Sequence, residues 1–168
     1  MREINPTVRP FYELVEIYQE DLLRVCFLYL QDQGMAEDAV QETFLKAYQA
    51  LPTYQGKCSP KTWLTRIAVN TCRDMRRTAW FRRVRWNEMP EWTASCGPDV
   101  SEEAIAVSVE IARLPPKLKE AVLLYYYQDM TVIEIAQALG ISQSSVSGRL
   151  KRAREKLRPA LKGVYFLE

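Results

Sequence analysis

The chain has 168 residues, 48% of them hydrophobic, and a net charge of only +2, so it can form one packed domain or two small ones. It has only six glycines, which suits an all-helical fold, and it shows neither a signal-peptide core nor an apolar run near the ~18 residues of a membrane span. Histidine is absent and no two cysteines form a Cys-x-x-Cys pair, which disfavours a zinc site and a disulfide scaffold. We therefore expect a cytoplasmic protein without a metal or other cofactor; the sequence does not assign roles to Cys58 and Cys96.

The small net charge hides a strong segregation of charges. Residues 12–50 have a net charge of −6, residues 61–85 a net charge of +7, and residues 86–112 hold six acids and no base. The basic segments indicate surfaces that face DNA, and the acidic segments indicate a different, basic partner.

The first two predicted helices form the beginning of a helical bundle. Apolar residues at helical spacing predict a helix over residues 11–31, a break at Gly34, and another helix over residues 36–50, ended by Pro52. The inward positions of the second helix include Phe44 and Tyr48. The same helix has a second, mostly polar strip that does not contribute to the predicted core: Asp38, Gln41, Glu42 and Leu45.

A short loop over residues 52–59 precedes a third helix. Ser59 followed by Pro60 predicts a cap and a first helical position, and the pattern continues to about Ala79. Trp63 has the spacing of the buried side, whereas several basic residues lie elsewhere around the helix. An aromatic and basic run continues to Trp86.

Residues 86–100 lack periodicity and contain prolines and glycine, which predicts a linker. Ser101 can cap a helix that extends to about Arg113. A Leu-Pro-Pro sequence then ends this helix and begins another over residues 117–128, whose predicted core positions are Leu118, Val122, Tyr125 and Tyr126.

Residues 131–157 have the pattern of a helix-turn-helix. Thr131 and Glu134 can form a capping box, Gly140 can supply a left-handed helix end, and Ser142 can cap the second helix. That helix has a predicted buried stripe consisting of Val146, Leu150, Ala153 and Leu157. Polar and basic side chains suited to base edges and phosphates face away from the stripe: Gln143, Ser144, Ser147, Arg149, Lys151, Arg152 and Arg154.

The alternative to DNA binding is that these are ordinary bundle helices whose basic face is exposed to solvent. Residues 149–162 hold seven bases and one acid, whereas solvated faces usually mix signs, so we favour DNA binding. The sequence shows no Gly-rich phosphate loop and no nucleophile with a neighbouring base, so we do not expect an enzyme.

Three segments in this order resemble the extracytoplasmic-function (ECF, group 4) sigma factors of the sigma-70 family. Residues 36–48 (AEDAVQETFLKAY) look like the part of sigma domain 2 that binds the polymerase clamp. Residues 62–74 (TWLTRIAVNTCRD) look like the part that opens and recognises the −10 element, and residues 114–157 look like domain 4, which recognises the −35 element. A helix-turn-helix alone is common; the three segments together are specific.

The resemblance implies an all-α fold of two small helical domains joined by a flexible linker. It implies domain 2 over residues 8–80, a linker over 81–103 and domain 4 over 104–163. The implied partners are promoter DNA, core RNA polymerase through its β′ clamp and β flap, and an anti-sigma factor. The acidic linker resembles a segment that threads toward the polymerase active site; the alternative for Asp99, Glu102 and Glu103 is a solvated tether.

The resemblance also implies roles for individual residues. Asn70 occupies the position of an asparagine that holds a flipped −10 base, and the loop over 55–58 would line its pocket. Trp63 is either a core residue or an aromatic wedge at the melted junction. The implied −10 contacts are Asn70, Arg66, Arg73, Arg76, Arg77, Gln55, Lys57 and Trp63. The implied −35 contacts are Gln143, Ser144, Ser147, Arg149, Lys151 and Arg152, and the implied polymerase contacts are Asp38, Gln41, Glu42 and Leu45.

Two positions depart from the pattern of the family. Pro60 stands where members often have an aromatic residue, and Ser147 stands where many have a DNA-contacting cation. Gly148 lies in the predicted recognition helix and costs it up to about 1 kcal/mol relative to alanine. Two rival classes remain: an ordinary two-domain regulator that binds symmetric half-sites, and an RNA-binding or adaptor protein.

Overall fold

The computed structural model describes residues 8–80 and 101–161, and the regular elements of both parts are all helices. The first half contains α1 (Val8–Leu30), α2 (Gln33–Ala50), a 3-10 turn (Leu51–Thr53) and α3 (Pro60–Trp80). The second half contains α4 (Glu102–Arg113), α5 (Pro116–Val122), α6 (Val132–Leu139) and α7 (Gln143–Ala160). A π-helical segment, Leu123–Tyr127, continues α5. Within these residues, none of the helices has the length and apolar character that crossing a membrane requires.

The helix ends follow local chemistry. Ser142 Oγ accepts from the backbone N–H of Ser145 at 3.1 Å, and Thr131 with Glu134 forms the predicted capping box before α6. Gly140 ends α6 with a left-handed φ of 65°, as predicted. The break between the first two helices is different from the prediction: it lies at Gln31, with φ 58°, and Asp32, which caps α2. Gly34 is inside the first turn of α2.

The two halves share both hydrophobic cores. In the first core, Cys26 and Tyr29 of α1 pack with Leu118 of α5 and Leu157 of α7. In the second, Val25 and Val69 of the first half pack with Ile135, Leu139 and Val146 of the helix-turn-helix. Burying a valine contributes about 1.5 kcal/mol or more, so these contacts hold the halves in a closed arrangement. The sequence pattern indicated two helical units but did not indicate that they pack together.

Polar contacts also join the halves. Gln31 Nε2 donates to the carbonyl of Ala112 at 3.1 Å, and Gln128 Nε2 donates to the carbonyl of Asp21 at 3.1 Å. Lys61 Nζ donates to the carbonyl of Gln128. We call the arrangement with these contacts the closed form.

Two predicted core positions were wrong. Tyr126 is 43% exposed, because the π-helical segment adds a residue to the turn and moves the tyrosine out of the α-helical stripe. Tyr48 is 46% exposed and lies edge-on to Phe11, with ring centroids 5.2 Å apart. Cys26 and Cys72 are buried core residues, as predicted, and Cys58 is half-buried. Cys96 and residues 81–100 of the predicted linker (residues 81–103) lie outside the described residues.

Candidate nucleic-acid interface

The second helix of the helix-turn-helix, α7, has the predicted division of faces. Its stripe of Val146, Leu150, Ala153 and Leu157 is fully buried. Five of the six predicted −35 contacts are exposed: Gln143, Ser144, Ser147, Lys151 and Arg152. The first turns of α7 therefore offer an amide, hydroxyls and cations to a groove while the opposite side is fixed in the core.

Two arginines of α7 differ from this pattern. Arg149 is only 13% exposed, and its Nη1 lies 4.0 Å from Glu120 Oε2 of α5. Arg154 donates from Nε to Tyr126 Oη at 2.9 Å and lies over the rings of Tyr125 and Tyr126. Arg154 lies outside the buried stripe, as predicted, but its guanidinium packs against the π-helical segment; its contact with DNA stays a prediction.

The predicted −10 residues lie on α3 and on the loop before it. Asn70 and Arg66 are exposed, and Asn70 Oδ1 accepts from Arg73 Nη1 at 3.4 Å. Arg77 is exposed and pairs with Asp74 at 3.0 Å, whereas Arg76 is half-buried. The asparagine and the basic residues thus form one face of α3.

The loop before α3 is held by stacked aromatic rings. The rings of Tyr54 and Trp63 are 4.6 Å apart at an interplanar angle of 26°, and Tyr54 Oη donates to the carbonyl of Cys58. Trp63 is half-buried, and it packs against the first core from the rim of this loop. Gln55, Gly56 and Lys57 are exposed, and Gly56 has a left-handed φ of 69° that favours glycine. The tryptophan therefore has a packed side and a side toward the loop.

The strip on α2 is exposed along its length: Asp38, Gln41, Glu42 and Leu45. Leu45 is 60% exposed, an unusual position for a leucine, and Glu42 lies one turn before it. Glu42 makes only a loose contact of 3.8 Å with Lys46. An apolar side chain bordered by carboxylates is suited to a protein partner with a basic, partly apolar surface.

Sequence reasoning missed the residue that links the two surfaces predicted to contact DNA. Glu120 of α5 is 2% exposed; it accepts from Tyr29 Oη at 2.7 Å and from Arg73 Nε and Nη2 at 2.7 and 2.6 Å. The ion pair raises the pKa of Arg73, and burial, with Glu120 next, raises the pKa of Tyr29. No local signal could have found this contact, because Glu120 follows two lysines in a segment that looks solvated.

Comparison with known proteins gives the family. Residues 14–82 match the model of Sigma-70 region 2, and residues 105–157 match the model of Sigma-70, region 4. The RNA polymerase sigma-E factor of Streptomyces coelicolor is 30% identical over 159 residues, covering 92% of this chain and 87% of that protein.

Two solved structures are similar to the closed form. The sigma factor RpoE from Bartonella quintana, in complex with the anti-sigma factor NepR, has a TM-score of 0.79 at 19% identity, covering 93% of this chain and 99% of that one. CnrH, in complex with the cytosolic domain of CnrY, has a TM-score of 0.71 at 29% identity, covering 93% and 90% of the two chains.

Proposed function

Because the chain belongs to the sigma-70 family as an ECF sigma factor of RNA polymerase, we propose that it recognises the −35 element as duplex DNA and captures unstacked bases of the −10 element. The observation that carries this proposal is that the capped start of α7 and the Asn70 face of α3 are both exposed. The start of α7 offers polar groups that suit a major groove, and the face of α3 offers the amide of Asn70 beside arginines.

At the −35 element, α7 would lie in the major groove with its N-terminal residues on base edges. Gln143 has the amide chemistry that pairs with adenine, and Ser144 and Ser147 can donate or accept. Lys151 and Arg152, about one turn beyond Ser147, would contact phosphates. Such contacts provide affinity with a steep salt dependence rather than sequence preference.

At the −10 element, Asn70 would hold a flipped base. Extruding a base costs a few kcal/mol of lost stacking, which a pocket has to offset. The exposed loop at Gln55 and Lys57 would line this pocket, and Trp63 supplies an aromatic surface at its rim. Arg66, Arg76 and Arg77 would hold the strand by its phosphates, so that capture of bases melts the duplex without ATP.

The closed form has to open for both contacts to be made at once. Arg73 and Arg149 belong to different predicted DNA sites, yet both lie within 4.0 Å of Glu120 Oε2. Elements centred about 25 base pairs apart are separated by roughly 85 Å along B-form DNA. We therefore infer that the free chain is closed and that core polymerase holds the two halves apart.

The exposed strip on α2 supports a contact with the β′ clamp of core polymerase. Its acids Asp38 and Glu42 give the attraction to a basic partner, and Leu45 gives apolar area at the centre. The second half would contact the β flap. One of the two similar structures was solved with an anti-sigma factor and the other with the cytosolic domain of CnrY, and we propose an anti-sigma factor as a partner of this chain.

Transcription with purified core polymerase tests the proposal. Adding the chain to core enzyme and a genomic fragment library should yield transcripts with defined 5′ ends that share sequences near −35 and −10. A chain with Asn70→Ala should yield fewer transcripts, and Gln49→Ala, an exposed change on α2 outside the strip, should not. Specific binding to symmetric half-sites without polymerase would instead support an ordinary regulator, and preferential binding to RNA would support the adaptor class.

A further inference from the structure

A cavity of about 500 Å³ lies between the two halves of the closed form. Its walls come from α1, α3, α5 and the helix-turn-helix, so it exists only while the halves are packed together. Its charged lining among the described residues consists of Arg73, Arg76, Arg77, Lys117, Arg149 and a single acid, Glu120. The volume is within the range of small-molecule sites.

Cations outnumber acids among the described residues that line this cavity, although Arg77 also pairs with Asp74 at 3.0 Å. Glu120 already accepts two hydrogen bonds from Arg73 and one from Tyr29. Arg149 Nη1 is buried and has no hydrogen-bond partner among the described residues; its distance of 4.0 Å to Glu120 is too long for one.

An unsatisfied N–H on a mostly buried guanidinium is costly, and the Glu120 carboxylate 4.0 Å away already accepts from Arg73, so an anion in this cavity would stabilise the closed form. Guanidinium groups bind phosphate oxygens through paired hydrogen bonds, and several of them around one cavity suit an anion with more than one phosphate. Leu139 and Ile141 add an apolar wall beside the arginines, suited to a flat ring. We propose that this cavity binds a polyphosphate group, carried by inorganic pyrophosphate or by a nucleoside polyphosphate.

Such a ligand would favour the closed form, because its phosphates would bridge Arg73 and Arg77 of α3 to Arg149 of α7. Two of these arginines belong to the −10 set and one to the −35 set, so the ligand and promoter DNA would compete. The binding itself depends only on the closed form, and it can fail or succeed independently of the promoter specificity proposed above.

Calorimetric titration of the full chain with pyrophosphate, ATP and adenosine, at one fixed ionic strength, tests the site. Pyrophosphate and ATP should bind and raise the unfolding temperature, whereas adenosine alone should bind far more weakly than ATP. ATP binding at least about tenfold tighter than pyrophosphate would identify the nucleoside polyphosphate as the source. Equal affinities would identify the inorganic anion.

Matched variants locate the site. Arg149→Gln should weaken pyrophosphate binding at least about tenfold, because it removes charged hydrogen bonds, whereas Arg158→Gln on an exposed part of α7 should change it less than about twofold. Arg77→Gln, an exposed position on the opposite wall, provides a second test if the first variant does not fold. Equal losses in Arg149→Gln and Arg158→Gln, or sulfate binding as tightly as pyrophosphate, would overturn the proposal.

Discussion

Replacing Glu120 by glutamine should open the closed form. The substitution keeps the size of the side chain and removes the charge that Arg73 of α3 and Arg149 of α7 face. A glutamine carbonyl can still accept from Tyr29, but its NH₂ group is a donor and cannot accept from a guanidinium. Tyr29 and Arg73 belong to the first half and Glu120 to the second, so their contacts with the carboxylate exist only in the closed form. Arg149 belongs to the same half as Glu120.

The size of the effect follows from burial. A hydrogen bond to a charged group contributes about 1.5–3 kcal/mol, and removing one partner of a buried pair costs about 3–5 kcal/mol. The side chain of Arg73 is 38% exposed and can return to water, so the lower end applies. A loss of about 2 kcal/mol shifts the ratio of closed to open chains roughly 30-fold toward the open form.

Small-angle scattering and binding of a labelled DNA duplex would measure this shift. Glu120→Gln should increase the radius of gyration and tighten DNA binding, since Arg73 and Arg149 become free to reach phosphates. Glu155→Gln removes the same charge from an exposed site on α7 and is the matched control. If Glu120→Gln keeps its helix content yet has the dimensions and DNA affinity of the wild type, the carboxylate does not hold the halves together.

Four further substitutions test separate parts of the account. Gly148→Ala should stabilise α7 by about 0.5–1 kcal/mol in thermal unfolding, because an added Cβ would meet only Arg152 Nη2 at 3.9 Å. Asn70→Ala should weaken open-complex formation more than closed-complex binding in footprinting. Glu42→Lys should reduce association with core polymerase in a pull-down. Lys119→Met should stabilise the chain below pH 8 by on the order of 3 kcal/mol in denaturant unfolding, since the buried ammonium with a pKa of about 8 disfavours the native state there.

The stability gained by Lys119→Met should depend on pH, and the direction of this dependence tests the last prediction. Between about pH 8 and pH 10.5 the native chain releases the Lys119 proton while the unfolded chain retains it, so wild-type stability rises with pH and the advantage of Lys119→Met shrinks. A constant difference across this range would contradict the burial of a charged amine. If Asn70→Ala weakens the open and the closed promoter complex equally, Asn70 does not capture a base. If Glu42→Lys leaves the pull-down of core polymerase unchanged, Glu42 is not part of the polymerase contact. A Gly148→Ala chain that is less stable than the wild type would show that the glycine is needed for space.

The helix-turn-helix could be predicted from the sequence because its signals are local. Thr131, Glu134, Gly140 and Ser142 each act within four residues along the chain, and the structure has each in the predicted role. The exposed strip on α2 could be found for the same reason, since a helix shows its faces through spacing alone. The DNA and polymerase roles of these exposed residues stay predictions.

The packing of the two halves could not be predicted, because it depends on contacts between distant residues. Val25 and Val69 fit the core of their own bundle equally well, and only the folded chain shows that they pack against the helix-turn-helix. Glu120 finds its partners 47 and 91 residues away. The exposure of Tyr126 follows from a π-helical segment, for which the sequence gives no simple signal.

We propose that the closed chain opens to place its two halves on separate promoter elements, and the distance between the halves measures this opening. Spin labels on unnatural amino acids at Gln49 of α2 and Lys156 of α7, both exposed, would give the distance between the halves. We predict one short distance in the free chain and an increase of several tens of ångströms in the complex with core polymerase and promoter DNA, since the elements are roughly 85 Å apart. An unchanged distance in a complex that is active in transcription would contradict the claim.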